Sequence, residues 1–325
     1  MDMLNKDMAY IHGDPGQLNE LGHGKMERNG SRSWSDESKK RGFAFVPRPT
    51  DVIIATAPKT GTTLLQWVCH TLRSNCDVDF EDLYQVSPWI SCAWDMGLSL
   101  EESRFFPRLY KSHLRLKFIN RGCKYIVTIR DPAKTAISFY NFMLAKKAPP
   151  VLEMDSVSDF ICDDNYFKED MRFEGSLWEY YVDFYKAREN PNVLCLVFED
   201  LVTDMKGHLE LIADFIGVET TPDLIDRVSE LSTKTAMAKH MHKLDETWST
   251  KRLKELNRMN NAGSFRPAAR VVEKKHNNVI NKAAEQVLNE KWEQIMVPAT
   301  GAKNYAEFQN MIRKGVDRRR NAIKR

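Results

Sequence analysis

Three short apolar runs, each followed by a segment of helical periodicity, restrict this chain more than any other feature in it. Val52 to Ala55, Tyr125 to Ile129 and Val193 to Phe198 are four to six residues long and rich in Val, Ile or aromatic side chains. Such runs, without polar alternation, belong to strands covered on both faces, which is the environment of a parallel sheet. Helical patterns follow at Thr62 to Leu72, Ala133 to Leu144 and Asp204 to Ile216. Buried strands alternating with helices predict an α/β fold, a central parallel β-sheet flanked by helices. Further helical patterns lie at 176–188, 222–231 and 281–296, with no repeat or low-complexity linker between them. A chain of 325 residues can bury a large core, so the reading is one α/β domain over 43–312.

The two ends read differently. Residues 1–42 are polar and carry six glycines and the run Ser-Trp-Ser-Asp-Glu-Ser-Lys-Lys-Arg, which predicts a mobile or loosely attached arm that Trp34 or Phe43 can pin. Residues 313–325 hold seven Lys/Arg against one Asp and read as a basic, solvated tail, with contact to an anionic surface as the rarer alternative. The net charge of +3 suits an anionic ligand and is too small to argue for nucleic acid. Six cysteines without a Cys-x-x-Cys pair or a zinc-spaced histidine cluster predict reduced thiols, no metal site and a cytoplasmic location. No apolar run approaches 18 residues and no signal pattern opens the chain, so no membrane anchor is expected.

The first strand runs into Pro58-Lys59-Thr60-Gly61-Thr62-Thr63. Pro58 lacks the donor a ladder needs, so the strand ends before it. Gly61 permits a tight turn, and Thr62-Thr63 opens a helix, where backbone N–H groups and hydroxyls favour an anion. Lys59 adds a point charge. Alone, the segment is either an anion-binding loop or an ordinary strand-to-helix turn with a surface lysine. It is not a Walker A loop, whose lysine follows the second glycine. The second strand ends in Ile129-Arg130-Asp131-Pro132, with Ser138 two turns into the next helix. An arginine at the carboxyl end of a parallel strand sits where open α/β sheets bind ligands, although a helix-capping role fits equally well. Between them lies Lys111-Ser112-His113, which on an extended segment puts Lys111 and His113 on one side. A cation beside a histidine favours the neutral, proton-accepting imidazole; a solvated lysine beside a structural histidine is the alternative.

Together these segments resemble the cytosolic, PAPS-dependent sulfotransferases. The likeness rests on Pro58-Lys59-Thr60-Gly61-Thr62-Thr63, on Lys111-Ser112-His113 about fifty residues later, and on Arg130 and Pro132 with Ser138 eight residues after the arginine. Phe198-Glu199-Asp200 and the Asn277 to Met296 stretch extend it, so that it runs from about 43 to 310. The resemblance implies a P-loop-like sulfotransferase architecture and 3′-phosphoadenylyl sulfate (PAPS) as sulfuryl donor, leaving adenosine 3′,5′-bisphosphate and needing no metal. It implies that Lys59, Thr60, Gly61, Thr62 and Thr63 cradle the phosphosulfate and that Arg130 and Ser138 hold the 3′-phosphate. His113 would then be the general base toward a hydroxyl or amine of a small-molecule acceptor, with Lys59 and Lys111 stabilising charge. A monomer or homodimer is implied; the family's Lys-x-x-x-Thr-Val-x-x-x-Glu dimer motif has no clean match at Lys274 to Ala283.

The sequence departs from the family pattern at several positions. Leu64 stands where a tryptophan often stacks on adenine, and Phe198 replaces a frequent tyrosine. The Ser-Phe-x-x-Met segment is matched by Thr233 to Met237, which assigns the hydroxyl role to Thr233. In place of Arg-Lys-Gly-x-x-Gly stands Phe265-Arg266-Pro267-Ala268-Ala269-Arg270, from which Arg266 is carried over as a nucleotide ligand and Arg270 as its helper. The expected acceptor-pocket aromatics are Trp89, Trp94, Phe139 and Phe142, with Met237 and Trp248 opposite. Two rival readings remain, a P-loop nucleotide kinase and a non-catalytic adenosine-nucleotide-binding module. The first lacks Gly-Lys-Ser/Thr and an evident metal-binding Asp, and Lys59, Lys111 and His113 argue against the second.

Overall fold

The computed structural model describes residues 34–163, 167–168, 175–258 and 278–323. Among these, β1 (Val52–Ala55), β2 (Leu109–Ser112), β3 (Lys124–Ile129) and β4 (Val193–Val197) form one parallel sheet in the order β2-β1-β3-β4. Helices of eight residues or more are α1 (Asp36–Ala44), α2 (Thr62–Arg73), α3 (Pro132–Ala145), α4 (Leu177–Ala187), α5 (Met205–Ile216), α6 (Pro222–Leu231), α7 (Thr247–Glu255), α8 (Lys282–Lys291) and α9 (Tyr305–Ile323). The helical pattern over 281–296 is divided between α8 and a π-helical turn at Trp292–Met296.

Successive strand side chains point to opposite faces, and here both faces are covered. Ile53, Tyr125, Val127, Val193 and Cys195 pack with α3, α4 and Phe308 of α9. Val52, Ile54, Ile126, Leu194 and Leu196 pack on the other side with α2, α5 and α6. This double burial is why the strands read as unbroken apolar runs. β2 pairs in register with β1 (Ile54 opposite Lys111), and its four residues are buried although two of them, Lys111 and Ser112, are polar.

The strand order places β2 on one side of β1 and β3 on the other, so successive connections diverge across β1. A crevice therefore opens at the carboxyl ends of β1 and β3, the place where open α/β sheets bind ligands. Both bordering loops lead directly into helices. Asp131 caps α3 by accepting from the Lys134 backbone N–H at 2.8 Å, and Pro132 occupies its first turn.

Of the expected N-terminal arm, residues 1–33 lie outside the described residues, and 36–44 form α1. Ser35 caps α1, its backbone N–H donates to Asp95 Oδ2 at 2.7 Å, and Trp34 meets Trp89 edge-on at 5.4 Å. The charged side chains that made this stretch look mobile lie outward, while Ser38 and Gly42 face in. Residues 313–323 of the basic run continue α9. Phe308, Ile312 and Val316 recur every four residues as its buried stripe, hidden in the sequence among charges. Arg313 grips Asp200 with two 2.7 Å contacts, and Arg319 Nη2 donates to the carbonyls of Asn190 and Val193 at 2.8 and 2.9 Å.

Candidate active site

The loop after β1 is held by its own threonines. Thr60 Oγ1 donates to the Ala57 carbonyl at 2.8 Å, Thr128 Oγ1 donates to the Thr60 carbonyl at 2.9 Å, and the Thr56 and Thr62 hydroxyls meet at 2.5 Å. Thr60 and Thr62 are buried and occupied in this way, which leaves Thr63 as the half-exposed hydroxyl at the start of α2. No side chain caps α2 at Gly61, so its first N–H groups open into the loop. Gly61 adopts φ 117°, and a Cβ there would stand 2.7 Å from the Phe198 ring. Lys59, at φ 67°, turns its carbonyl to accept from Arg130 Nη1 at 2.7 Å and holds its ammonium 4.2 Å from the Phe142 ring centroid.

Arg130 is fixed from three sides. Its backbone N–H donates to the Tyr181 hydroxyl at 2.9 Å, its guanidinium stands 4.5 Å above Phe198, and Nη1 is taken by Lys59. Its buried Nε has no hydrogen-bond partner among the described residues. Ser138 is half-buried on α3, one turn before Phe142 and therefore on the same helix face.

His113 follows β2, and its Nδ1 lies 2.8 Å from the Thr56 carbonyl. A carbonyl only accepts, so Nδ1 carries the proton and Nε2 is the basic nitrogen. Burial first, then the Lys111 charge, holds its pKa well below 6.5, with Lys59 adding to the effect. Tyr180 donates its hydroxyl to the His113 carbonyl, and Trp89 stands edge-on to the imidazole at 5.2 Å. Lys111 lies 4.0 Å from the Trp89 ring centroid and donates to Tyr84 Oη at 2.9 Å. A buried, neutral, oriented imidazole beside two ammonium groups can take a proton from a nucleophile while the lysines steady developing negative charge.

A family profile for the sulfotransferase domain matches residues 49–294 of the chain. The chain belongs to the sulfotransferase domain family. It is 28% identical to sulfotransferase 1E1 of Bos taurus over 195 residues, 57% of this chain and 64% of that protein. It is 30% identical to sulfotransferase 2A6 of Mus musculus over 201 residues, 59% and 68% of the two chains. The chain thus spans a little under two thirds of the bovine relative's length. The fold is similar to that of mouse sulfotransferase SULT7A1 complexed with PAP, with a TM-score of 0.55 at 16% identity over 86% of this chain and 94% of that one.

Within this sulfotransferase fold the expected residues separate into two groups. Contacts link Lys59 with Arg130 and Phe142, and Lys111 and His113 with Trp89, while Gly61 and Thr63 share the Lys59 loop and Ser138 lies one turn before Phe142. Thr60 and Thr62 are engaged within the loop itself, and the remaining candidates among the described residues are engaged elsewhere. Phe139 is core, edge-on to Phe160 at 5.6 Å, and Met237 packs with Trp67, Phe80, Leu83 and Leu244. Trp94 is flanked by Arg258 at 3.8 Å and Arg41 at 5.3 Å. Trp248 donates to Glu81 at 3.0 Å and lines a surface cavity of about 650 Å³ with Phe80 and Gln85. Exposed Thr233 caps its own short helix by accepting from the Ala236 N–H at 3.2 Å. Its neighbour Ser232 is buried, and its hydroxyl has no partner among the described residues. The motif spacing points to Thr233, and nothing in the sequence distinguishes Ser232 as the buried hydroxyl. Tyr84, Lys146 and Glu246 were also missed, lying outside any motif. Arg266 and Arg270 fall outside the described residues.

Proposed function

We propose that this chain is a PAPS-dependent sulfotransferase that moves a sulfuryl group to a hydroxyl or amine of a small-molecule acceptor, with His113 as general base. The observation that carries this reading is the fixed tautomer of His113, Nδ1–H on Thr56, between Lys59 and Lys111.

The residues present fit an adenosine phosphosulfate. The orphaned, buried Nε of Arg130 is costly without an anion, and the uncapped start of α2 is a ready anion site. Arg130 and Ser138 would hold the 3′-phosphate, joined by Ser232 in place of Thr233 and by Arg266 and Arg270. Lys59, Thr63 and the first N–H groups of α2 would hold the phosphosulfate end. When bound, PAPS supplies an activated sulfuryl group on a phosphate leaving group. His113 Nε2 takes the acceptor's proton, Lys111 steadies the transferring oxygens, and Lys59 steadies the leaving oxygen. Trp89 and Phe142 supply apolar walls that orient the acceptor and exclude water. The sulfotransferase relatives and the PAP-bound fold neighbour support this reading.

The test is incubation of the full chain with labelled PAPS and a panel of phenols, alcohols and amines. Label should appear in an acceptor. If adenosine 3′,5′-bisphosphate binds tightly while no acceptor is labelled, the protein is a nucleotide-binding module instead.

A further inference from the structure

Lys111 is almost wholly buried, and its ammonium lies against the Trp89 ring and the Tyr84 hydroxyl. It donates to Tyr84 Oη at 2.9 Å, and an ammonium carries protons but no lone pair. Tyr84 must therefore accept from Lys111, which turns its single proton toward Glu246 Oε1 at 3.4 Å. Glu246 is itself buried, and its Oε2 accepts from Lys146 Nζ at 2.7 Å. The chain of groups Lys111, Tyr84, Glu246, Lys146 alternates cation, hydroxyl, anion, cation. It ties β2, the turn at Leu83–Gln85, the start of α7 and the residue capping the end of α3.

The backbone bends to make it. Glu246 adopts φ 66°, a left-handed conformation uncommon and strained outside glycine. On either side, Asp245 and Thr247 line the outward cavity, while Glu246 is buried. Fold stability alone gives little reason for this, since buried ion pairs gain little over apolar packing. The same set reaches the crevice at both ends, because Lys146 shares the Phe142 ring with Lys59 at 5.1 and 4.2 Å.

We infer that Tyr84 and Glu246 are positioning residues that hold the Lys111 ammonium beside His113, with Lys146 paired to Glu246. This rests on the reading that Lys111 works in the transfer step. Tyr84→Phe keeps the ring under the ammonium and removes the acceptor; Glu246→Gln keeps the shape and removes the charge.

The experiment uses the full chain, PAPS, and whichever acceptor of the panel is turned over fastest. It compares wild type, Tyr84→Phe, Glu246→Gln, Lys111→Ala, and the doubles Tyr84→Phe/Lys111→Ala and Glu246→Gln/Lys111→Ala, with melting temperatures recorded for each. Each of the two positioning variants should lower kcat by about tenfold to a hundredfold, with KM for PAPS changed less than about twofold. In the Lys111→Ala background neither should lower kcat further, which a merely structural role cannot produce. Losses that multiply in the doubles, or single variants that turn over like wild type, overturn the inference. A Lys111→Ala protein with undiminished kcat overturns the reading of Lys111 itself, and the inference with it.

Discussion

The Thr56 carbonyl has lone pairs and no proton, so its 2.8 Å contact with His113 settles which ring nitrogen is basic before any ligand arrives. The same burial that orients the ring keeps it neutral, since desolvation and the Lys111 charge both disfavour the imidazolium. The acid limb of the pH profile of kcat/KM should therefore lie below pH 6.5, because His113 stays unprotonated until the pH falls through its depressed pKa. Turnover of a panel acceptor measured between pH 5 and 8 checks this, and a limb at or above 6.5 contradicts the buried, lysine-flanked histidine. The residue pair Lys111 and His113 was legible as a same-side pair on an extended segment. The partners Tyr84, Glu246 and Lys146 were not, because they come from distant stretches that only the tertiary fold brings together. Side chains such as Phe139 and Met237 carried the right chemistry for a pocket, but no local pattern distinguishes an aromatic facing a pocket from one facing the core.

At the scale of elements, the loop between β1 and α2 depends on a glycine for two independent reasons. Gly61 sits at φ 117°, and Phe198 fills the place of any Cβ, 2.7 Å away. Gly61→Ala should destabilise the protein by about 2–4 kcal/mol through backbone strain and overpacking, and should loosen adenosine 3′,5′-bisphosphate as Phe198 is pushed toward Arg130. Urea unfolding and calorimetric titration measure the two effects; a variant of wild-type stability and affinity contradicts the tight loop. β1, β3 and β4 were readable because burial on both faces leaves continuous apolar runs. β2 was readable only as extended, since Lys111 and Ser112 interrupt its apolar signature for the sake of the site. The extent of α9 was hidden by its arginines, which act as hydrogen-bond donors to Asp200 and to backbone carbonyls around β4 rather than as a solvated run.

Across the whole molecule, several histidines are buried in neutral form. Burial and the nearby Arg73 push His70 down to about 3, and His113 and His208 are also lowered, chiefly by burial. The unfolded chain takes up these protons near pH 6.5 while the folded chain does not, so stability rises with pH through this range and is lost as pH falls below it. A histidine such as His70, still neutral when folded, contributes a slope that approaches about 1.4 kcal/mol per pH unit below pH 6.5. The urea midpoint should accordingly be lower at pH 5 than at pH 7, a window above most carboxylate titrations; equal midpoints contradict the neutral burial. The architecture as a whole places His113, the Pro58–Thr63 loop and Arg130 at the carboxyl ends of the adjacent parallel strands β2, β1 and β3, and this arrangement was the part most legible from motif order and spacing.

The central claim, that His113 is the base and not a nucleotide ligand, is tested most directly by His113→Ala. Its turnover with PAPS and a panel acceptor should fall by orders of magnitude, while calorimetric affinity for adenosine 3′,5′-bisphosphate stays within about twofold of wild type. A variant that turns over like wild type, or one whose nucleotide affinity collapses, contradicts it.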